Sequence, residues 1–249
     1  MRAAAVGFPA AAAPPSHLFI KRGTLEMGFT FDFMAMVHAL PLLMGGLWLT
    51  IVLTVAGLVV GFFLGTVTGL AKVSRSRVLH FISMIYVESV RGTPLIVQAM
   101  FLYFGLPLAL SISIPPITAG VIVIAINSGA YISEIVRGAI QSIDKGQVEA
   151  GRSIGLTRFQ TMRYIIWAQA FRRMIPPLGN QFIISLKDTS LLMVIGVSEL
   201  ARQGQEIISS NYKAFEVWLT VAIIYLTLTL LLTRLLRLVE KRLAHYSGH

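Results

Sequence analysis

Cysteine is absent from the 249 residues, which excludes a disulfide framework and any thiolate metal site. Charge is scarce: Asp, Glu, Lys and Arg make up 13% of the chain, against about 25% in a soluble domain. No Gly is followed by Lys, so a phosphate-binding loop of its own is missing. The five histidines, His17, His38, His80, His245 and His249, form no His-Glu-x-x-His pair and stand near no second ligand type. Ser128-Gly129 has no base beside it in sequence. These absences argue against an intramembrane enzyme, a metal centre and an ATP-hydrolysing domain. The net charge of +10 could suggest nucleic acid. The cations, however, sit in short clusters between apolar runs, with no basic-aromatic stripe on a polar helix, so nucleic-acid binding is not expected.

Apolar residues fill the gap. They are 55% of the chain, and the mean hydropathy is +0.75. A membrane span needs about 20 mostly apolar residues. Five stretches qualify: about 40–71, 78–110 (with Glu88, Arg91 and Pro94 inside), 116–136, 162–198 (interrupted by Pro176-Pro177) and 217–236. The expected fold is all-α, a polytopic membrane protein with five transmembrane helices. Lys and Arg mark the cytoplasmic side. Placing the loops at 72–77 and 137–163 and the tail after 234 inside collects twelve of them, against five on the other side. That puts the N-terminus outside and the C-terminus in the cytoplasm.

Residues 1–36 are expected to be a disordered or interfacial tail. Their Ala- and Pro-rich start makes a poor signal peptide, and Met27 offers an alternative initiator. The membrane domain is expected over 37–243, with a cytoplasmic loop at 139–163 inside it and a tail at 244–249. The first span carries Gly57, Gly61, Gly65 and Gly69. Spacing by four puts all of them near one helix face, which fits close approach of another helix or a hinge.

The loop at 139–163 has its own structure signals. Asp144 with Gln147, and Thr157 with Gln160, each fit a helix-starting capping box, and Gly155 stands between them as a stop. These signals predict a short helix across the membrane face, then re-entry into the next span.

Here the residues resemble a family. Glu149-Ala150-Gly151, Gly155 after three residues and Ile165 after nine more match the signature loop of ABC-importer permeases. That signature reads Glu-Ala-Ala, three residues, Gly, nine residues, Ile, one residue, Leu-Pro. Gly151 stands where the second Ala is usual, and Trp167-Ala168 stands where Leu-Pro is usual. Three further stretches are similar to permeases for polar amino acids, the group handling histidine, glutamate, glutamine, arginine and opines. They are the run from Tyr86 to Leu95 (YVESVRGTPL), the run from Asn127 to Ile135 (NSGAYISEI), and the paired runs from Pro176 to Gln181 (PPLGNQ) and Leu186 to Leu192 (LKDTSLL).

The resemblance implies a type I importer permease in the bacterial inner membrane. Its implied partners are a second permease subunit, identical or a sister, an ABC ATPase dimer, an external solute-binding protein and a polar amino-acid substrate. No cofactor is expected in this chain, because ATP and Mg belong to the partner ATPase. Glu149, Ala150, Gly151, Arg152 and Gly155 are the implied ATPase-coupling residues. An ion-coupled secondary transporter is the alternative, disfavoured because those usually show paired repeats with a broken helix in each half.

Ionisable groups within spans are costly and are functional candidates. Glu88 and Arg91 are neighbours on one helix face, fitting either a mutual ion pair or a substrate contact. Asn127, Tyr131 and Glu134 share a face of the third span, which should meet a wet cavity or a partner helix. Asn127, Tyr131, Glu134, Asp188 and Ser190 are the expected substrate path. The alternative for Lys187 and Asp188 is pairing with each other or with Arg172.

Overall fold

The computed structural model describes residues 18–21, 24–27 and 30–245. An antiparallel hairpin of β1 (Leu18–Lys21) and β2 (Thr24–Met27) precedes a helical bundle. The hairpin and the first turn of the bundle both fall within the expected N-terminal tail. The remainder of that tail, and residues 246–249 at the other end, lie outside the described residues.

Helix α1 (Phe33–Lys72) starts where the Asp32 carboxylate accepts a hydrogen bond from the Ala35 amide. Its 40 residues span about 60 Å, twice a hydrocarbon core. After a short turn, α2 (Arg77–Arg91) runs to Gly92-Thr93-Pro94. There the chain bends by 103° into α3 (Leu95–Met100), a π-helical turn (Phe101–Gly105) and α4 (Leu106–Leu110). The second expected span is therefore two rods at a right angle. Proline at position 94 lacks an N–H and disfavours helix at Thr93, so the ladder stops.

Helix α5 (Pro116–Gln141) lies along α1. Short α6 (Lys145–Ser153) and α7 (Arg158–Gln160) come next. A π turn (Thr161–Ile166) then leads into α8 (Trp167–Asp188). A 3-10 stretch (Thr189–Ile195), α9 (Leu200–Asn211) and α10 (Ala214–His245) complete the chain.

Among the described residues, α1, α5 and α10 are long and apolar enough to cross a membrane, and bent α2–α4 makes a fourth if the pair counts as one span. The fourth expected span, α8, carries Arg172, Arg173, Lys187 and Asp188 and does not reach that apolarity. Large side chains such as Trp48, Phe63, Val67, Leu226 and Leu230 point outward from α1 and α10. Water would not tolerate such a surface, and lipid does.

Pro176 and Pro177 do not interrupt the fourth expected span. α8 is continuous through both. The two missing amides free the carbonyls of Arg172 and Arg173, and those residues are exposed, so solvent or headgroups can take the orphaned oxygens.

The α1–α5 contact is backbone against backbone. Gly57, Gly61, Gly65 and Gly69 are all buried, as the four-residue spacing predicts for a close approach. A Cβ on Gly65 would sit 2.6 Å from the Gly129 carbonyl oxygen, and one on Gly69 2.8 Å from that of Ser133. Gly61 faces the Ser128 hydroxyl, and Gly57 faces Ile124. The α5 residues in these contacts recur every fourth position, so the two faces mesh turn by turn. Around this spine, Leu53, Leu95, Val123, Ile124 and Leu192 pack at one level and Ile132, Val136, Ile166 and Met174 at another. Leu43, Leu200, Ile207 and Val217 join α1, α9 and α10.

Gly65→Ala should lower the thermal unfolding midpoint of the purified protein, with an overpacking cost of about 1–3 kcal/mol. Gly45→Ala is the control: nothing lies within 4 Å of a Cβ there, and helix propensity favours alanine by up to ~1 kcal/mol. Equal melting of Gly65→Ala and wild type would show that the two helices have slack.

Candidate functional site

The polar stripe on α5 meets a partner helix, at the bend between α2 and α3. The Asn127 side-chain amide donates to Gln98 Oε1 at 3.3 Å. Gln98 Nε2 in turn donates to the carbonyls of Val90 (2.7 Å) and Thr93 (3.0 Å), taking acceptors that the broken helix leaves unpaired. The Tyr86 hydroxyl donates to the Ile126 carbonyl at 2.7 Å. The Arg91 guanidinium lies over the Tyr131 ring, 5.3 Å from its centroid. Buried Asn127 and half-exposed Tyr131 thus hold the bend in place. Gln98 is absent from the site expected on sequence. An amide in an otherwise uncharged apolar stretch, four residues after Pro94, is the signal that points to it.

One turn further along, Glu134 gathers the cations. Lys72 Nζ lies 2.5 Å from Glu134 Oε1, with only 8% of the Lys72 side chain exposed. Arg137 reaches Oε2 through Nη2 at 2.6 Å and Nε at 3.0 Å. Arg91 Nη1 stands 4.0 Å from the same oxygen. The ends of α1 and α2 and the last turns of α5 are thereby tied to one carboxylate. The sequence places Lys72 in the loop at 72–77. It is instead the last residue of α1, and its stem is buried as lysine stems are beside apolar surface.

The mutual ion pair of Glu88 and Arg91 is not formed. Glu88 instead faces Lys72 at 3.9 Å, and Arg91 faces Glu134. The concentrated charge at the α1–α5 junction draws the two side chains apart. Asp188 is half-buried and joins no ion pair among the described residues, so neither Lys187 nor Arg172 is bridged to it. Ser190, in the adjoining 3-10 stretch, donates to the Lys187 carbonyl at 2.7 Å. The structure brings Asn127, Tyr131 and Glu134 together along α5 and places Asp188 and Ser190 at the end of α8.

A buried carboxylate also lies outside the expected site. Glu199 starts α9, accepting from the amides of Ala201 (3.0 Å) and Arg202 (2.8 Å) and from the Tyr225 hydroxyl (3.1 Å). The next amide, Leu200, donates to Thr50 Oγ1 of α1 at 3.2 Å. Its sequence signal is an acidic residue before a helical stretch, which is a capping pattern.

The loop at 139–163 folds as a capped helix and a stop. The Thr157–Gln160 box closes in both directions, at 3.3 and 2.9 Å. The Asp144 box does not close. Asp144 accepts from Gly146 N at 2.7 Å, while the Gln147 side chain accepts from Gln169 of α8. That bond to α8 replaces the return bond a box requires. Gly155 sits at φ +85°, a left-handed conformation costly for other residues.

Glu149, Ala150 and Arg152 are exposed, and Gly151 is buried. A Cβ on Gly151 would lie 2.8 Å from Ile165 Cδ1 and 2.9 Å from Thr161 Cγ2. The departure from Ala at this signature position is thus a close contact between α6 and the π turn. On either side of the stop, Ile154 and Phe159 are each 75% exposed. Arg173 Nη1 closes the loop by donating to the Ser142 carbonyl at 2.6 Å.

Glu134→Gln should destabilise the protein by about 3 kcal/mol, because it strands the Lys72 ammonium. Lys72→Met should do the same from the other side, and the double variant should lose clearly less than the sum. Thermal unfolding of all four proteins reads this out, and strictly additive losses would refute the shared ion pair.

Residues 57–245 match the family described as the inner membrane component of binding-protein-dependent transport systems. The chain is similar, at 50% identity over 214 residues, to the glutamine transport system permease protein GlnP of Escherichia coli K12, covering 86% of this chain and 98% of that one. It is 41% identical to the L-cystine transport system permease protein TcyB of Bacillus subtilis 168, with 83% and 88% covered. A solved amino acid ABC transporter, crystallised with histidines, shares the fold with a TM-score of 0.82 and 42% identity, covering 86% of this chain and all of that one. The MetNI methionine transporter shares the fold alone, with a TM-score of 0.67 at 22% identity. These likenesses leave the ion-coupled alternative without support. The chain belongs to the binding-protein-dependent inner membrane transport components, as a permease subunit of the amino-acid ABC importers.

Proposed function

We propose that this permease carries glutamine, or a polar amino acid close to it, into the cell. The relative at 50% identity supports that substrate class. A dimer of separate ATPase subunits binds ATP and Mg and drives the cycle, an external binding protein delivers the substrate, and a second permease subunit completes the membrane part. The chain itself catalyses no reaction.

The observation that carries this reading is the helix α6. It is seated on the π turn through Gly151, yet turns Glu149, Ala150 and Arg152 outward beside exposed Ile154 and Phe159. A short capped helix with a mixed charged and apolar face suits a protein partner better than water. Glu149, Ala150, Gly151, Arg152 and Gly155 form the coupling element: three contact residues, one seat and one stop.

The orientation comes from which charges share an end of α1. Lys72 lies at the same end as Arg137, and Asp32 lies at the opposite end beside Lys213. We assign the basic end, with α6, to the cytoplasm, which puts the N-terminus outside and the C-terminus inside. Asp188 at the end of α8 and Ser190 in the 3-10 stretch that follows serve the substrate path, with Asp188 attracting the amino group or a cationic side chain. Asn127, Tyr131 and Glu134 serve it from α5.

Reconstituted in liposomes with candidate ATPase and binding-protein partners, the chain should take up labelled L-glutamine only when ATP and both partners are present. Glu149→Arg should abolish that uptake. Uptake by the chain alone on an ion gradient would refute the importer reading. Asp188→Ala should lower uptake roughly tenfold, equivalent to ~1.4 kcal/mol, while the ATPase still co-purifies. Normal uptake by Asp188→Ala would remove it from the path.

A further inference from the structure

Glu88 and Arg91 occupy the last turn of α2, just before the bend. At i and i+3 their Cβ atoms stand about 5–6 Å apart on one face, where opposite charges ordinarily pair. They do not pair. Each leans at the edge of reach toward a different ion, Glu88 to Lys72 at 3.9 Å and Arg91 to Glu134 at 4.0 Å. Those two ions are already engaged. Lys72 and Glu134 hold each other at 2.5 Å, and Arg137 holds the remaining Glu134 oxygen at 2.6 Å. The fringe contacts orient Glu88 and Arg91 without satisfying them.

Among the described residues, neither side chain makes a hydrogen bond. Arg91 has five N–H donors and a ring against one flank of its guanidinium, but no acceptor at bonding distance. The Glu88 side chain is 67% exposed and that of Arg91 39%. Charged groups within a spanning segment are costly, and two of opposite sign held apart are costlier than two in contact.

We propose that Glu88 and Arg91 form a subsite for the head group of an α-amino acid, Glu88 taking the α-ammonium and Arg91 the α-carboxylate. The inference rests on the reading of the chain as an amino-acid importer. A simple anion at this face would meet Glu88, and a simple cation would meet Arg91. A zwitterion satisfies both, since its two charges sit on neighbouring groups of one carbon. The arginine fork matches a carboxylate in two parallel bonds, and three ammonium donors match Glu88. Such a subsite reads what all α-amino acids share. Discrimination among side chains then belongs to other residues of the path.

The test measures binding of labelled L-glutamine to the assembled permease–ATPase complex in nanodiscs, without binding protein. Competition by the α-amide of glutamine, which lacks the carboxylate, and by its deaminated analogue, which lacks the ammonium, reports each charge separately. Wild type should bind both analogues at least tenfold more weakly than glutamine. Arg91→Gln should weaken glutamine by a similar factor and then treat glutamine and its α-amide alike. Glu88→Gln should do the same for the deaminated analogue. Arg91→Lys should retain part of the carboxylate preference, which guards against a folding defect in the neutral variant.

Variants that weaken glutamine but keep the full wild-type preference against both analogues would overturn the subsite, because that is what a merely structural charge does. Absence of glutamine binding to the wild-type complex would also overturn it. Uptake by the complete assembly with its binding protein decides the importer reading separately.

Discussion

The separation of α1 and α5 governs where the other elements can sit. In lipid, two apolar helices gain nothing by hiding from water, so their association depends on contact itself. Here contact is made possible by the missing side chains of Gly57, Gly61, Gly65 and Gly69, which admit the carbonyls and branched side chains of α5. The two ends of α1 then have fixed tasks. Near its start, Gly46 and Thr50 receive the beginning of α9, which buried Glu199 caps. At its finish, Lys72 reaches the Glu134 carboxylate. A methyl group's width between the helices would displace that ammonium from its 2.5 Å contact and leave it in a site with little water.

The elements legible in the sequence are those governed by local rules. Glycine spacing by four, the Thr157–Gln160 box and the Gly155 stop each depend on residues within one or two turns, and each is present in the structure. The features that escape it are decided by partners far away in the chain. Lys72 reads as a loop cation until Glu134, 62 positions later, is placed beside it. Glu88 and Arg91 have the spacing of a pair, and the junction of α1 and α5 pulls them to separate partners. Proline has two opposite outcomes. Pro94 ends a helix, whereas Pro176 and Pro177 ride inside one, because the carbonyls they orphan face the exposed side at Arg172 and Arg173. Sequence alone does not say which carbonyls will be wet.

The polar stripe on α5 illustrates how one face serves two purposes. Asn127 commits its amide to Gln98, and Gln98 commits its own to the carbonyls of the bend. Tyr131 supports Arg91, and Glu134 collects the surrounding cations. Groups that a span of this kind could offer a passing solute are thus also the groups that define where α2 stops and α3 starts. Any solute that engages Arg91 or Tyr131 necessarily competes with contacts that shape the bend.

The loop between α5 and α8 is stitched to itself at three points: Gly151 against Ile165 and Thr161, Gln147 to Gln169, and Arg173 to Ser142. In mechanical language, α6 is a lever bolted to the foot of α8 with almost no play. A load on α6 cannot be dissipated by the loop swinging. It is delivered to the base of α8, through the π turn of Thr161–Ile166. The three stitches together make displacement of the whole loop, not local deformation, the response to a push.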